Sequence, residues 1–209
     1  MSGYNIHNPA TRIETQRLVV RCYAPSDAQM LANSVAESRE HLKPWMPWAH
    51  AESEPFEAIV ERVKRFRDMF DLQQDYVYGI FNKEETHLLG GTGLHTRLGP
   101  EQLEIGYWIH KDFTNQGLVT ESTAALIKVA FEIIHIHRLE IHCDPRNLAS
   151  ASIPRKLGFT NEGTLREKTR FLDHWSDSIV WGLLEEEYPQ SPSRKADIRV
   201  YDGRGFQLL

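Results

Sequence analysis

Two cysteines, Cys22 and Cys143, are all that the 209 residues carry. They are too few and too far apart for a disulfide framework or a cysteine-built zinc site, so the chain reads as one for a reducing, cytoplasmic compartment. No stretch approaches the roughly 18 apolar residues of a membrane span, and the start, MSGYNIHNPATRIET, has no positive region leading into an apolar core. A chain neither secreted nor inserted in a membrane is expected. Cationic excess is missing too: 24 Lys+Arg stand against 29 Asp+Glu, a net charge of −5. That excludes a broad positive field for phosphate backbones and with it nucleic acid as a primary partner, while leaving room for a local acidic cleft. Internal repeats and low-complexity tracts are absent. There are 10 histidines, but none is spaced as His-x-x-x-His or with a ligand-spaced carboxylate, so no metal is expected.

What is present, 41% hydrophobic and 25% charged residues, suits one globular domain with a real core. RLVVRCY at 17–23 has strand composition, and Pro25-Ser26-Asp27 supplies a turn and an N-cap for a helix running to about Leu42. The prolines of KPWMPWA at 43–49 stop that helix. From Pro55, residues Phe56, Ile59, Val63, Phe66, Met69 and Phe70 recur at three- and four-residue steps, which predicts an amphipathic helix. Strands at 76–81, 88–98 and 103–109, joined by short turns, read as an antiparallel meander. A helix after Gly117 and a strand at 138–144 then complete a right-handed parallel crossover. A shorter helix over NLASASIPRKLGF ends on Gly158, with Pro154 expected in its first turn or at a kink. Two more strands fall at about 159–171 and 177–185. Residues 1–14 read as a loose lead-in and 15–188 as the domain. In 189–209, IRVY-DG-RGFQLL has the form of a hairpin with an Asp-Gly turn, or is a frayed tail.

Three blocks in order, EIGYWIHKDFTNQGLVTES, RLEIHCDPRNLASASIPRKLGFTNEG and WSDSIVWGLLEEEY, resemble the consecutive signatures of the GNAT superfamily of acyl-CoA N-acyltransferases. Within it they resemble the RimJ/RimL branch, the ribosomal-protein N-terminal acetyltransferases. The resemblance runs from about Thr15 to Tyr188 and takes in ETQRLVVR and LKPWMPW. It implies an α/β (α+β) fold with a mixed, mostly antiparallel central sheet, splayed parallel strands and flanking helices. It also implies acetyl-CoA as co-substrate and direct transfer to a primary amine, and it leaves a homodimer open. The acceptor implied is the α-amine of a protein or peptide N-terminus. A small-molecule amine (a polyamine, amino acid or antibiotic) and a non-catalytic acyl-CoA-binding protein are the alternatives.

TNQGLVTE stands between a strand and a helix start, where unpaired N–H groups and the helix dipole favour an anion. The resemblance assigns Gln116, Gly117, Leu118, Val119 and Thr120 to a diphosphate cradle. The family pattern has Arg or Gln where this chain has Asp112, whose carboxylate would repel a diphosphate; Asn115, in the second place, tolerates left-handed backbone. Asn147 is implied to bond the pantetheine arm and Ser150 to donate to the departing sulfur, although by residue type alone they are a helix N-cap and a first-turn serine. Backbone near Trp108 and Ile109 is implied to pair with the arm and to face the thioester oxygen. Glu104, on one strand face with Gly106 and Trp108, is implied as general base, directly or through water. A salt-bridge role for Glu104 is the alternative, and His95 and His142 compete for the base. Trp45, Met46 and Trp48 either shape the amine pocket or cap the core. Neither cysteine stands where a nucleophile is implied, so no acyl-enzyme is expected.

Overall fold

The computed structural model describes residues 10–51, 54–171 and 173–209. Among the described residues nine strands form one sheet: β1 (Arg12–Glu14), β2 (Leu18–Cys22), β3 (Tyr76–Asn82), β4 (Leu88–His95), β5 (Gln102–Ile109), β6 (Arg138–Cys143), β7 (Thr160–Arg170), β8 (Trp175–Leu184) and β9 (Arg199–Tyr201). Their spatial order is β7-β8-β6-β5-β4-β3-β2-β1-β9. Every pairing is antiparallel except β5 with β6, which run parallel. The helices are α1 (Ala28–Leu42), α2 (Phe56–Asp71), α3 (Leu118–Val129) and α4 (Leu148–Lys156). This is the mixed, mostly antiparallel α/β architecture expected, with its meander and single crossover in place.

Alternation sorts the strand residues between two apolar clusters. Tyr78, Leu94, Ile105, Ile141 and Leu183 join Leu126 and Ile127 of α3 and Ile153 of α4 in the larger one. Val19, Phe81 and Leu88 meet Leu31 of α1 and Val63 of α2 in the smaller, where Trp108 also packs. In α2 the three- and four-residue spacing does what it predicts: Val63 and Phe70 are buried and the Lys64 side is exposed.

The structure differs from the sequence reading in four places. Asp27 does not cap α1 with its side chain; its carboxylate takes Arg21 NH1 and NH2 at 2.7 and 3.0 Å and the Ala24 N–H at 2.8 Å, because a carboxylate buried to this degree needs a counter-charge. The lead-in is partly structured: β1 bridges β2 and β9, while residues 1–9 lie outside the described residues. The C-terminal stretch returns to the sheet edge, with Asp202 N–H bonded to Phe206 O at 2.9 Å around a turn longer than the Asp-Gly pair. Finally, of the two placements expected for Pro154 the first turn is not the one taken: it sits inside α4.

Candidate active site

The parallel pair is short. β5 and β6 are in register from Gln102↔Arg138 to Ile105↔Ile141, and there the pairing stops. Beyond it β5 continues to Ile109 beside β4 and β6 continues to Cys143 beside β8, so the sheet forks. The orientation of the open edge follows from strand geometry. His110 N–H bonds Leu89 O at 2.7 Å, and because N–H and C=O directions alternate along a strand, Trp108 also faces β4. The main-chain groups of Tyr107 and Ile109 therefore face the fork. Of the two residues expected to present backbone there, Ile109 does so, whereas Trp108 spends its backbone in the ladder and contributes its indole to the other face.

At the end of the β5 prong, a short turn at Lys111–Phe113 leads to Thr114, Asn115, Gln116 and Gly117. Asn115 and Gly117 both have left-handed backbone, φ +58° and +77°, the geometry for which Asn and Gly are suited. The first main-chain bond of α3 runs from Glu121 N–H to Gly117 O, so the N–H groups of Leu118, Val119 and Thr120 have no acceptor among the described residues. Three convergent donors at the positive end of a twelve-residue helix suit an anion. The Leu118 side chain is buried in the core, so only its backbone takes part.

Arg17 went unnoticed in the sequence. It donates through Nε to Glu121 at 2.6 Å and through NH1 to Gln116 O at 2.9 Å, which places a guanidinium against the cradle. Burial alone would raise the Glu121 carboxyl; hydrogen bonds from Thr15 and Arg17 outweigh it and hold the group below the ordinary carboxylate range. The charge of Asp112 is also met. Lys111 Nζ lies 2.8 Å from both its oxygens and lowers its pKa. Glu37, His110 and Asp112 bring ligand-type atoms within 4.8 Å of one another, but both His110 nitrogens are already engaged, by Glu37 and by the Asp112 N–H.

On the core side of the fork, α4 presents Asn147 and Ser150. Asn147 Oδ1 accepts the Ser150 N–H at 3.0 Å, so this residue is an N-cap whose amide NH2 has no acceptor among the described residues. Ser150 meets a partner that the sequence hid: Tyr107 Oη lies 3.2 Å from both its hydroxyl and its carbonyl oxygen. Pro154 explains the second contact. A helix would bond the residue-154 N–H to the Ser150 carbonyl, and proline has none, so the carbonyl is open to the phenol. Burial pushes the Tyr107 pKa up and keeps it a neutral donor. Cys143 lies buried beside Ser150 and Trp181, and burial pushes its thiol up as well.

The opposite face carries the polar groups. Glu104 and Glu140 stand in register, each only 9% exposed. Arg97 clamps both Glu104 oxygens at 2.7 and 2.6 Å, so the salt-bridge alternative is the one this carboxylate adopts. Glu140 is shared by Arg138 at 2.7 Å and His142 Nε2 at 2.6 Å. His95 Nδ1 sits 2.9 and 3.0 Å from the Asp75 oxygens. Above this floor stands the α1–α2 connection. Trp48 meets Trp108 edge-on at 6.2 Å, Met46 is half-buried at the start of the short turn Pro47–His50, and Trp45 lines a cavity of about 340 Å³ with His50, Arg146 and Phe171. The structure thus brings Trp48 against Trp108, on the strand face that Glu104 shares, and sets Trp45 beside Arg146, next to the α4 N-cap.

The acetyltransferase (GNAT) domain family matches residues 17–160. Ribosomal protein uS5-alanine N-acetyltransferase of Escherichia coli (strain K12) is 28% identical over 193 residues, spanning 90% of this chain and 98% of its own. Among solved structures, Mycobacterium smegmatis RimJ in complex with CoA-disulfide superposes with a TM-score of 0.79 at 21% identity, over 87% of this chain and 91% of that one. Ribosomal-protein-S5-alanine acetyltransferase from Vibrio fischeri reaches 0.76 at 24% identity, over 85% and 98%. At those identities the two structures speak for the fold.

Proposed function

Since the chain belongs to the acetyltransferase (GNAT) domain family, we propose that it moves the acetyl group of acetyl-CoA onto the α-amine of a protein or peptide N-terminus. One observation carries the reading: a three-donor anion cradle, an open strand edge and the Ser150–Tyr107 pair lie along one fork. The residues fit acetyl-CoA. Gln116, Gly117, Leu118, Val119 and Thr120 wrap the diphosphate with main-chain groups, and Arg17 neutralises Glu121 beside it. Ile109 and Tyr107 offer main-chain partners to the amide-rich arm, with the NH2 of Asn147 as a further donor. An open N–H on this edge takes up the negative charge that develops on the thioester oxygen. Ser150, backed by Tyr107, donates to the leaving sulfur, whose thiol has an ordinary pKa of about 8.5.

The acceptor approaches from the opposite face, walled by Trp45, Met46 and Trp48. Glu104 contributes negative potential there while Arg97 holds its carboxylate. An α-amine with a pKa of about 8 is roughly one-tenth neutral at pH 7, whereas a lysine amine near 10.4 is almost wholly charged. A face whose acidic groups are already paired therefore suits the α-amine better. The E. coli relative, named for the alanine of ribosomal protein uS5, supports a protein acceptor. The test is thiol release from acetyl-CoA with a panel of N-terminal peptides set against polyamines, free amino acids and aminoglycosides. Turnover with peptides alone is expected. Turnover with small amines alone would reassign the acceptor, and acetyl-CoA binding without thiol release under any acceptor would make the chain an acyl-CoA-binding protein.

A further inference from the structure

Removing the amine proton needs an acceptor, and both oxygens of Glu104 are taken up by Arg97. Among the described groups on that face, His95 is placed differently. Its Nδ1 is fixed between the two Asp75 oxygens at 2.9 and 3.0 Å, which sets the Nδ1–H tautomer and leaves Nε2 with a lone pair and no hydrogen-bond partner among the described residues. The ring extends from the end of β4 across two glycines. A Cβ on Gly93 would lie 2.8 Å from Nε2, and one on Gly106 would lie 3.2 Å from the same atom. Two side chains are missing where this imidazole lies, and Gly106 is the first β5 residue beyond the last β5–β6 pair. Nε2 is thus held over the point where the sheet forks. The side chain is 20% exposed, enough for a substrate nitrogen to reach it.

Building on the acetyl-transfer reading, we propose that His95, oriented by Asp75, is the general base that takes the proton from the acceptor amine. The amine nitrogen forms the new N–C bond as the C–S bond breaks; its proton passes to His95 Nε2, and the thiolate takes one from the Ser150–Tyr107 pair. Solvent then resets both groups. Asp75 is a positioning residue. The other titratable or charged groups facing His95 are Glu104 and Arg97 on the β4–β5 hairpin and Glu140 with His142 on β6. His142 is anchored in the same manner, Nε2 on Glu140 at 2.6 Å, but it stands on the β6 prong, and it is the His95 ring that lies over Gly93 and Gly106 where the sheet forks.

The test uses the full chain with acetyl-CoA and an N-terminal peptide. His95→Ala should lower kcat/KM by about 100-fold, within the usual range for general base loss, with KM for acetyl-CoA unchanged. Added imidazole should restore part of the rate, which a purely structural histidine would not allow. His95→Gln retains size and polarity, covers the case in which the alanine variant fails to fold, and should abolish the acidic limb of the kcat/KM profile. Asp75→Asn, which favours the opposite tautomer, should depress kcat while sparing KM for acetyl-CoA. Wild-type turnover with a His95→Gln variant of equal rate and equal pH profile overturns the assignment and leaves acetyl transfer standing. A wild-type chain that releases no thiol with any amine overturns both.

Discussion

Tyr107→Phe removes the one phenol that two oxygens share, the Ser150 hydroxyl and the Ser150 carbonyl that Pro154 cannot serve. A buried carbonyl stripped of its donor costs about 1–3 kcal/mol. Ser150 is only partly buried, water meets some of the loss, and about 1–2 kcal/mol is expected. In a chain of this length that lowers Tm by about 2–8 °C. Restoring an N–H at position 154 isolates the cause. Pro154→Ala gives α4 a donor four residues beyond Ser150, so in that background the cost of Tyr107→Phe should shrink to below about 0.5 kcal/mol. Urea unfolding of the four proteins closes the cycle. Losses that add, with coupling inside an error of about 0.3–0.5 kcal/mol, would refute the claim that Pro154 opens the carbonyl to the phenol. Turnover should behave otherwise: kcat stays depressed in the double variant, because the Ser150 hydroxyl still lacks its partner.

Arg17→Ala should raise KM for acetyl-CoA about tenfold at low salt and less at high salt, with kcat at saturation kept, since it leaves the Glu121 carboxylate unneutralised beside the cradle. Equal KM values in both salts would remove Arg17 from donor binding. Gly91→Ala places a Cβ against the Trp108 indole, so KM for the peptide should rise while KM for acetyl-CoA holds; the reverse split would put Trp108 on the donor side. Asp144 is held below the ordinary carboxylate range chiefly by Arg146, with burial opposing. The stability from that pair is present above the unfolded aspartate pKa of about 3.9 and is lost as pH falls through the lower folded value. Thermal scans should therefore show Arg146→Ala less stable than wild type at pH 7 and the two curves converging in acid.

Much of the scaffold was legible because burial of one strand face or one helix stripe imposes a period. The meander from Tyr76 to Ile109 and the α2 spacing from Phe56 to Phe70 show this. Backbone demands were legible too: Asn115 and Gly117 are residue types suited to left-handed geometry, and Asn147 is a natural cap. Strands β1 and β9, the last two on one side of the sheet, are three residues each, too short to show alternation, and they pair from opposite ends of the chain. Side-chain partnerships were hidden for the same reason. Arg17 and Glu121 are 104 positions apart, and Arg97 reaches Glu104 only because the turn between β4 and β5 folds it back. Nothing in the sequence marks Tyr107, since its value lies in a hydroxyl whose target exists only once Pro154 interrupts the α4 ladder.

Transfer of acetyl from acetyl-CoA to an α-amine is read without intermediary steps by tandem mass spectrometry. The wild-type chain is incubated with acetyl-CoA and a peptide that bears both a free N-terminus and an internal lysine. One acetyl group is expected on the N-terminal nitrogen, with one thiol released for each acetyl transferred. Acetylation of the lysine alone, or an unmodified peptide with acetyl-CoA bound and intact, would contradict it.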